Sequence, residues 1–423
     1  MAAAVTMRDD RVFVVLLILR LSFCPCLVGG TNEYKRQLTL ELNPNSTSVP
    51  PGGDLLHVRA VGDNDTLHFL WCSQGAPTLL IVHTNTSNSS VQVNWTQFLS
   101  RNVSGGLSVE PQSSIQYSIA VVFSRLLEYD DVNDTAMPDS DFFPPYELQN
   151  LNWTRLQLFN AKALLCGETP EFGNGSLCLT LSVFDSDGRA ESWPRLLHSA
   201  NSSQLEVWLH GIMPRSANSR FLLEMQAVGG DFPLSRVDVR QFIDDEFTPS
   251  IFKVSQWVSP VKGGSDVSGY VQWKPVAYRQ TNPALEDATP CRYSDPQTQD
   301  GNATAASSAL IQAFFSQHNI TGLNVSFGLA GEPFYNSTRF LSWWVPFWST
   351  FNDGSGSDDK RTFCFRTMLV GVGAPPVDTF SPIVLAIMAV GLGTPMILLL
   401  VGGVLVCLHK RRQGSPAIYQ PIN

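Results

Sequence analysis

Residues Ile383 to Leu408 run IVLAIMAVGLGTPMILLLVGGVLVCL, with no charged side chain and Thr394 as the one hydroxyl. At about 1.5 Å per residue this run makes a helix of roughly 39 Å, longer than the roughly 30 Å of hydrocarbon in a bilayer. A helix packed on a soluble core keeps a polar stripe, and this one is apolar on every face. The run reads as a transmembrane helix, so the rest of the chain must fold in water on one side of a membrane or the other. His409, Lys410, Arg411 and Arg412 follow it directly, and a basic cluster beside a span marks the cytoplasmic side. Residues 409–423 are then a cytoplasmic tail, and everything before about Pro382 faces the opposite compartment.

The tail is too short to bury a core. Near its end Tyr419, Gln420, Pro421 and Ile422 match Tyr-x-x-bulky apolar. Such a tetrapeptide adds as an extended strand to a clathrin adaptor, with Tyr and Ile in alternate pockets, and Pro421 favours extension of the residue before it. We read it as an endolysosomal sorting signal. At the other end, residues 1–30 carry Arg8 and Arg11, apolar runs from Val12 to Leu19 and Leu21 to Val28, and Gly29-Gly30. That order describes a cleavable signal peptide. Arg20 interrupts the apolar part, and an uncleaved signal anchor is the alternative. Cleavage leaves a single-pass type I protein.

Between the two apolar segments lie residues 31–378, beyond the roughly 250 to 300 at which one core usually divides. Two lumenal domains are expected, 31–232 and 233–378, with a seam near Gly229-Gly230-Asp231-Phe232-Pro233. The whole chain has 28 Lys plus Arg against 37 Asp plus Glu. Setting aside Arg8, Arg11, Arg20, Lys410, Arg411 and Arg412, and Asp9 and Asp10, leaves 22 basic against 35 acidic residues. A surface this acidic repels phosphate backbones, which argues against nucleic acid as a partner.

Asn-x-Ser/Thr without proline occurs at Asn45, Asn64, Asn85, Asn88, Asn94, Asn102, Asn133, Asn152, Asn174, Asn201, Asn302, Asn319, Asn324 and Asn336. The chain has 22 asparagines, so most are sequons, and none lies in the span or the tail. Glycans are bulky and sit at the surface, so these positions are expected at exposed turns and strand ends. A dense coat hides loops, the preferred sites of proteolytic nicking.

With the signal removed, Cys72, Cys166, Cys178, Cys291 and Cys364 are lumenal and Cys407 lies at the membrane exit. Cys166 and Cys178 flank GETPEFGNGSL, and closing that loop is worth about 3 kcal/mol on the chain-entropy model. Cys291 with Cys364 is the second expected pair. Cys72, within LHFLWC, reads as a buried core thiol.

Most of the lumenal part reads as strands. QLTLEL (37–42), LLHVRA (55–60), 66–72, 78–83, SIQYSIAVVF (114–123), 156–165, LCLTLSVF (177–184), LEVWLH (205–210) and 221–227 alternate or run apolar between turns, and 237–242, 251–258, 268–273, 323–329 and 362–369 continue the pattern. Leu177, Leu179, Leu181 and Val183 share one face. The expected class is all-β, two antiparallel sandwiches plus one C-terminal transmembrane helix. Ser307 to Gln317 alone reads as a lumenal helix, with Ser307 as cap and Leu310, Ala313 and Phe314 on its apolar stripe.

Local chemical motifs are sparse. The histidines form no His-x-x-x-His pair, and neither Gly-x-Ser-x-Gly nor a P-loop occurs. Asp185-Ser186-Asp187-Gly188 begins like a calcium loop, but Arg189 stands at the third ligand position and Leu196 at the twelfth, so a strand-ending turn is the better reading. Asp130-Asp131 with Asp139 and Asp141 offers a carboxylate pair for glycoside chemistry, against the plainer reading of a solvated loop. No cofactor is implied. In SWWVPFWSTF, Trp343, Trp344, Phe347 and Trp348 suit a core, a membrane-surface contact or a partner surface. In the span, Ala389 and Gly393 stand four apart and Gly402-Gly403 lies further on, small residues that let a second helix approach.

Taken together, the signal peptide, the sequon-dense β-rich ectodomain, one span and a tail ending Ile418-Tyr-Gln-Pro-Ile-Asn423 resemble the glycosylated lysosomal membrane protein family. The resemblance covers the whole chain. It implies a type I protein of the lysosomal membrane that accompanies a multi-span transporter of the major facilitator type and protects it from lumenal proteolysis, and it carries over no catalytic residue. Two classes of function stay open: a non-enzymatic accessory subunit, or a membrane-anchored lysosomal hydrolase or lumenal glycan-binding receptor.

Overall fold

A computed structural model describes residues 34–100, 103–132, 142–160, 162–190, 195–216, 219–229, 234–241, 253–261, 267–274, 276–278, 288–293, 297–299, 308–315, 319–327, 362–377 and 382–413. Two compact units divide between Pro375 and Pro376. The first is built almost entirely of antiparallel strands, and the second contains the helix Pro382–Gln413.

In the first unit one sheet runs Gln37–Leu42, Leu55–Val61, Thr66–Cys72, Thr78–Thr84, Ile115–Asp130, Ser219–Gly229 and Asn319–Phe327, each antiparallel to the next. A second sheet runs Gln157–Phe159, Lys162–Glu168, Ser176–Val183, Ser202–His210, Thr362–Val372, Val267–Trp273, Lys253–Pro260 and Arg236–Gln241. Their inner faces share one core: Leu67, Phe69 and Trp71 from the first sheet, and Leu177, Leu179, Leu181, Val183 and Trp257 from the second. The alternation visible in LCLTLSVF is therefore an inward-facing row, as the period of two requires.

The strand Thr66–Cys72 is buried along its whole length, because the first sheet is covered on both faces. Leu70 and Cys72 point away from the sandwich into a smaller core with Leu80, Val82, Ala120 and Val122. That core is roofed by the hairpin of Ser90–Val93 with Leu107–Glu110 and by two short helices, Trp95–Phe98 and Ala309–Phe314.

Several sequence expectations change. The boundary near Gly229 to Pro233 does not divide the ectodomain into 31–232 and 233–378. Asn319–Phe327 returns to pair with Ser219–Gly229, and Thr362–Val372 with Ser202–His210, so residues on both sides of 232 share ladders and a core. The run 156–165 is two strands, Gln157–Phe159 and Lys162–Glu168, because Asn160 adopts a φ of 54° and turns the chain back, a conformation Asn tolerates. The helix expected over 307–317 spans Ala309–Phe314, and its cap is Ser308, not Ser307: the Ser308 side chain accepts from the Ile311 N–H. A second helix, Trp95–Phe98, is capped by Asn94, which accepts from the Gln97 N–H.

Candidate functional site

Seven sequon asparagines, Asn45, Asn64, Asn85, Asn88, Asn94, Asn152 and Asn174, have exposed side chains. Most lie at turns and strand ends for local reasons. Asn45 has a φ of 61° in the turn after Gln37–Leu42, and Asn64 sits in the turn joining Leu55–Val61 to Thr66–Cys72. Asn174 lies in the loop between the two strands clasped by a disulfide. That disulfide joins Cys166 to Cys178, residues directly opposite in the ladder of Lys162–Glu168 with Ser176–Val183.

Two sequons depart from the exposed-turn rule, Asn201 by its burial and Asn324 by its position. Asn201 is half-buried, and its side-chain oxygen accepts from the Arg36 guanidinium at 3.0 and 2.8 Å. Asn324 stands within the strand Asn319–Phe327, opposite Glu224, and Asn319 begins that strand. Asn102, Asn133, Asn302, Asn336, the sorting motif Tyr419 to Ile422, Trp343, Trp344, Trp348, Asp139, Asp141 and the signal peptide lie outside the described residues. Cys291 and Cys364 are on strands described by their backbone alone. Cys72 is fully buried, and burial pushes its thiol up to about 12, so it is inert as a nucleophile.

Three polar clusters were invisible in the sequence because strand pairing, not a motif, brings their members together. Arg36, 4% exposed, donates to Asp65 at 2.9 and 2.7 Å as well as to Asn201, and His83 reaches the same carboxylate at 3.1 Å. Burial acts to raise the Asp65 carboxyl, but hydrogen bonds and charge from Arg36, with His83, outweigh it and hold it below the usual carboxylate range. Glu128, fully buried, accepts from the Tyr146 hydroxyl at 3.1 Å and the Arg215 backbone N–H at 2.6 Å. The Arg215 guanidinium stacks on the Tyr146 ring, 4.1 Å from its centroid. Close by, Asp131 is paired with Arg220, and Asp130 accepts from the Ser216 hydroxyl at 2.8 Å. Asp130 ends the strand Ile115–Asp130 and Asp131 follows it, and each carboxylate is engaged by a different partner, Ser216 and Arg220.

The third cluster lies on the face of the first sheet away from the sandwich core. His57 Nε2 meets His68 Nδ1 at 2.9 Å, and His68 Nε2 meets the Ser89 hydroxyl at 2.8 Å. Ser89 Oγ meets Thr84 Oγ1 at 2.7 Å, and Thr84 donates to the Thr66 carbonyl. That last bond orders the rest. Ser89 donates to Thr84, His68 Nε2–H to Ser89, and His57 Nε2–H to His68 Nδ1, with both rings neutral. Protonating His68 would set two N–H groups against each other. Burial, reinforced by Arg59, lowers His57 to about 4; burial, with His57 and Arg59, lowers His68 to about 3.

Asp185 is paired with Lys35 at 2.7 Å, and Asp187 accepts from the Ala200 N–H at 2.8 Å. These carboxylates hold a turn together, in keeping with the turn reading. Among the described residues no group of three His, Cys, Asp or Glu side chains is placed to hold a metal.

The helix Pro382–Gln413 contains the expected span 383–408 and continues into the basic cluster. Within it Gly393–Arg411 is long and apolar enough to cross a membrane. Gly391, Gly393, Gly402 and Gly403 each have open space beside them, and Ala389 lies one turn before Gly393 on the same face.

Comparison with known proteins gives a consistent picture. A family model described as glycosylated lysosomal membrane protein matches residues 54–347 and 348–413. The glycosylated lysosomal membrane protein of Danio rerio is 49% identical over 411 residues, 94% of each chain. That of Mus musculus is 39% identical over 423 residues, 96% of this chain and 95% of the relative. That of Homo sapiens is 39% identical over 408 residues, covering 93% and 92%.

Proposed function

The chain belongs to the glycosylated lysosomal membrane protein family, and from that premise we propose that it is a non-enzymatic accessory subunit of a multi-span transporter of the major facilitator type. In this reading it is a single-pass type I protein of the lysosomal membrane, and its ectodomain shields the transporter from lumenal proteases. The observation that carries the reading is the set of exposed sequon asparagines on the loops and strand ends of both sheets. Glycans there would cover the backbone most open to nicking. The hydrolase alternative needs carboxylates free to act, whereas Asp65, Glu128 and Asp131 are each engaged by an arginine.

Purification from lysosomal membranes in mild detergent should recover one transporter in near-stoichiometric amount, and removing this chain should shorten that transporter's lysosomal half-life. A transporter that neither co-purifies nor turns over faster would refute the proposal. Exchanging 383–408 for an unrelated span, or replacing Trp344 and Trp348 with Ser, should weaken the association through the small-residue helix face or the aromatic cluster. Tyr419→Ala should divert the chain to the plasma membrane. Enzymatic removal of N-glycans should lower the apparent mass by tens of kilodaltons, at about 2 kDa or more per occupied site.

A further inference from the structure

Open sheet edges invite unwanted pairing, and natural proteins blunt them. Among the described residues six strands of the two sheets pair on one side only, one of them the two-residue Tyr146–Glu147. Gln37–Leu42 pairs only with Leu55–Val61, and Gln297–Gln299 only with Asn319–Phe327. The short strands Asn152–Trp153 and Gln157–Phe159 pair only with Lys162–Glu168, and Arg236–Gln241 only with Lys253–Pro260. All but Arg236–Gln241 have a sequon nearby in sequence: Asn45 follows Leu42, Asn302 follows Gln299, and Asn152 begins one short strand and lies five residues from both Glu147 and Gln157. Arg236–Gln241 has none, because no sequon occurs between Asn201 and Asn302. In space, Asn201 immediately precedes Ser202–His210, a strand separated from this edge by three others, or about 19 Å at the usual strand spacing of roughly 4.8 Å.

Among the described residues nothing pairs with the outer side of this edge. Val239 is 50% exposed, Arg240 and Gln241 are exposed and Asp238 is half-buried. Its sequence is RVDVRQ. Edges guarded by charge work through repulsion between like charges, but here both signs alternate on one face, and Arg236 already bonds Asp238 at 3.0 Å within the strand. An antiparallel copy centred on Val239 sets Asp238 opposite Arg240 of the copy, and Arg240 opposite Asp238 of the copy. Directly opposed, oppositely charged pairs of this kind stabilise an antiparallel ladder. The same register places the two Val239 side chains against each other, covering the exposed apolar surface. Centring on Val237 would waste that pairing, since Val237 already packs against the main core.

We propose that Arg236–Gln241 is a docking edge whose occupant is the same strand of a second copy of this chain, joined antiparallel about Val239 so that the second sheet continues across a two-fold axis. A six-residue edge is a small interface by the standards of free proteins in solution. Two chains anchored in one membrane meet at a raised effective concentration, so a small contact suffices.

The test uses the full-length glycosylated protein in lipid nanodiscs or native membranes, with Cys407→Ala to remove the exposed thiol. Under mild oxidation Val239→Cys should give a covalent homodimer, while Thr39→Cys on the sequon-guarded edge should give none until the N-glycans are removed. Asp238→Arg alone and Arg240→Asp alone should each cut the Val239→Cys dimer yield several-fold, and the double exchange should restore it. The proposal falls if Val239→Cys stays monomeric while the protein is folded and delivered. It falls equally if the yield ignores the charge exchanges, or if Val239→Cys is captured by a different membrane protein. Unrestrained pairing of Thr39→Cys on the glycosylated protein would remove the guarding argument.

Discussion

The two faces of the strand Thr66–Cys72 are made from neighbouring residues and behave as different materials. Leu67, Phe69 and Trp71 point into the sandwich core, among other apolar side chains. His68, Leu70 and Cys72 point into the smaller core, where one apolar patch borders the chain of hydrogen bonds from His57 to Thr84. The sandwich face is stabilised by area removed from water, which pH does not change. The other face is held in part by rings that must stay neutral, so acid weakens it. A strand buried on both sides can thus carry ordinary packing on one face and part of an acid-sensitive pair on the other.

The largest test addresses the sandwich face. Trp71→Ala should cost about 3 to 5 kcal/mol, and the cost should be the same at pH 7 and pH 5 when read by chemical denaturation. A cost that changes with pH would mean the two faces are coupled. On the opposite face the sign follows from linkage: the unfolded histidines take up protons below their ordinary value of about 6.5, whereas folded His57 does so only near 4 and His68 near 3. Stability contributed by the neutral pair is therefore present above pH 6.5 and is lost as pH falls towards 4. Between pH 7 and 5 the native protein should lose on the order of 2 to 4 kcal/mol, at up to about 1.4 kcal/mol per unit for each ring. His57→Gln with His68→Gln should flatten that slope, and an unchanged slope would assign acid sensitivity elsewhere.

Clasping the second sheet, Cys166→Ser with Cys178→Ser should cost about 2 to 3 kcal/mol through loop entropy, with no change in the pH slope. The smallest effect belongs to Cys72→Ala, about 1 kcal/mol for the lost apolar volume. In the intact protein its thiol should resist maleimide until the fold is opened by denaturant. Labelling of the native protein would show that the smaller core breathes.

Several features were legible because their cause is local. The span needs only an uncharged run of sufficient length, and the row Leu177, Leu179, Leu181 and Val183 needs only a period of two. Other features were misread where a single backbone choice decides. At Asn160 a positive φ turns one expected strand into a hairpin, and asparagine is compatible with either outcome. The strand expected to end at Phe123 continues to Asp130, because its later charges find partners that sequence cannot supply: Arg125 pairs with Glu224 at 2.6 Å, and Glu128 lies beneath Arg215. The solvated-loop reading of Asp130 and Asp131 changes with it, since Asp130 ends this strand.

From residues alone came the membrane topology, the sequons, the antiparallel β class and the local Cys166–Cys178 pair, since each rests on composition, period or short separation. Only the tertiary structure decided that residues on both sides of 232 share one sandwich, that Asn201 is tied to Arg36, and that His57 and His68 share a proton order. Arg36 and Asn201 lie 165 residues apart, and His57 and His68, though only 11 apart, meet because their two strands pair. Contacts of that kind arise from strand order and register, which a period of two leaves free.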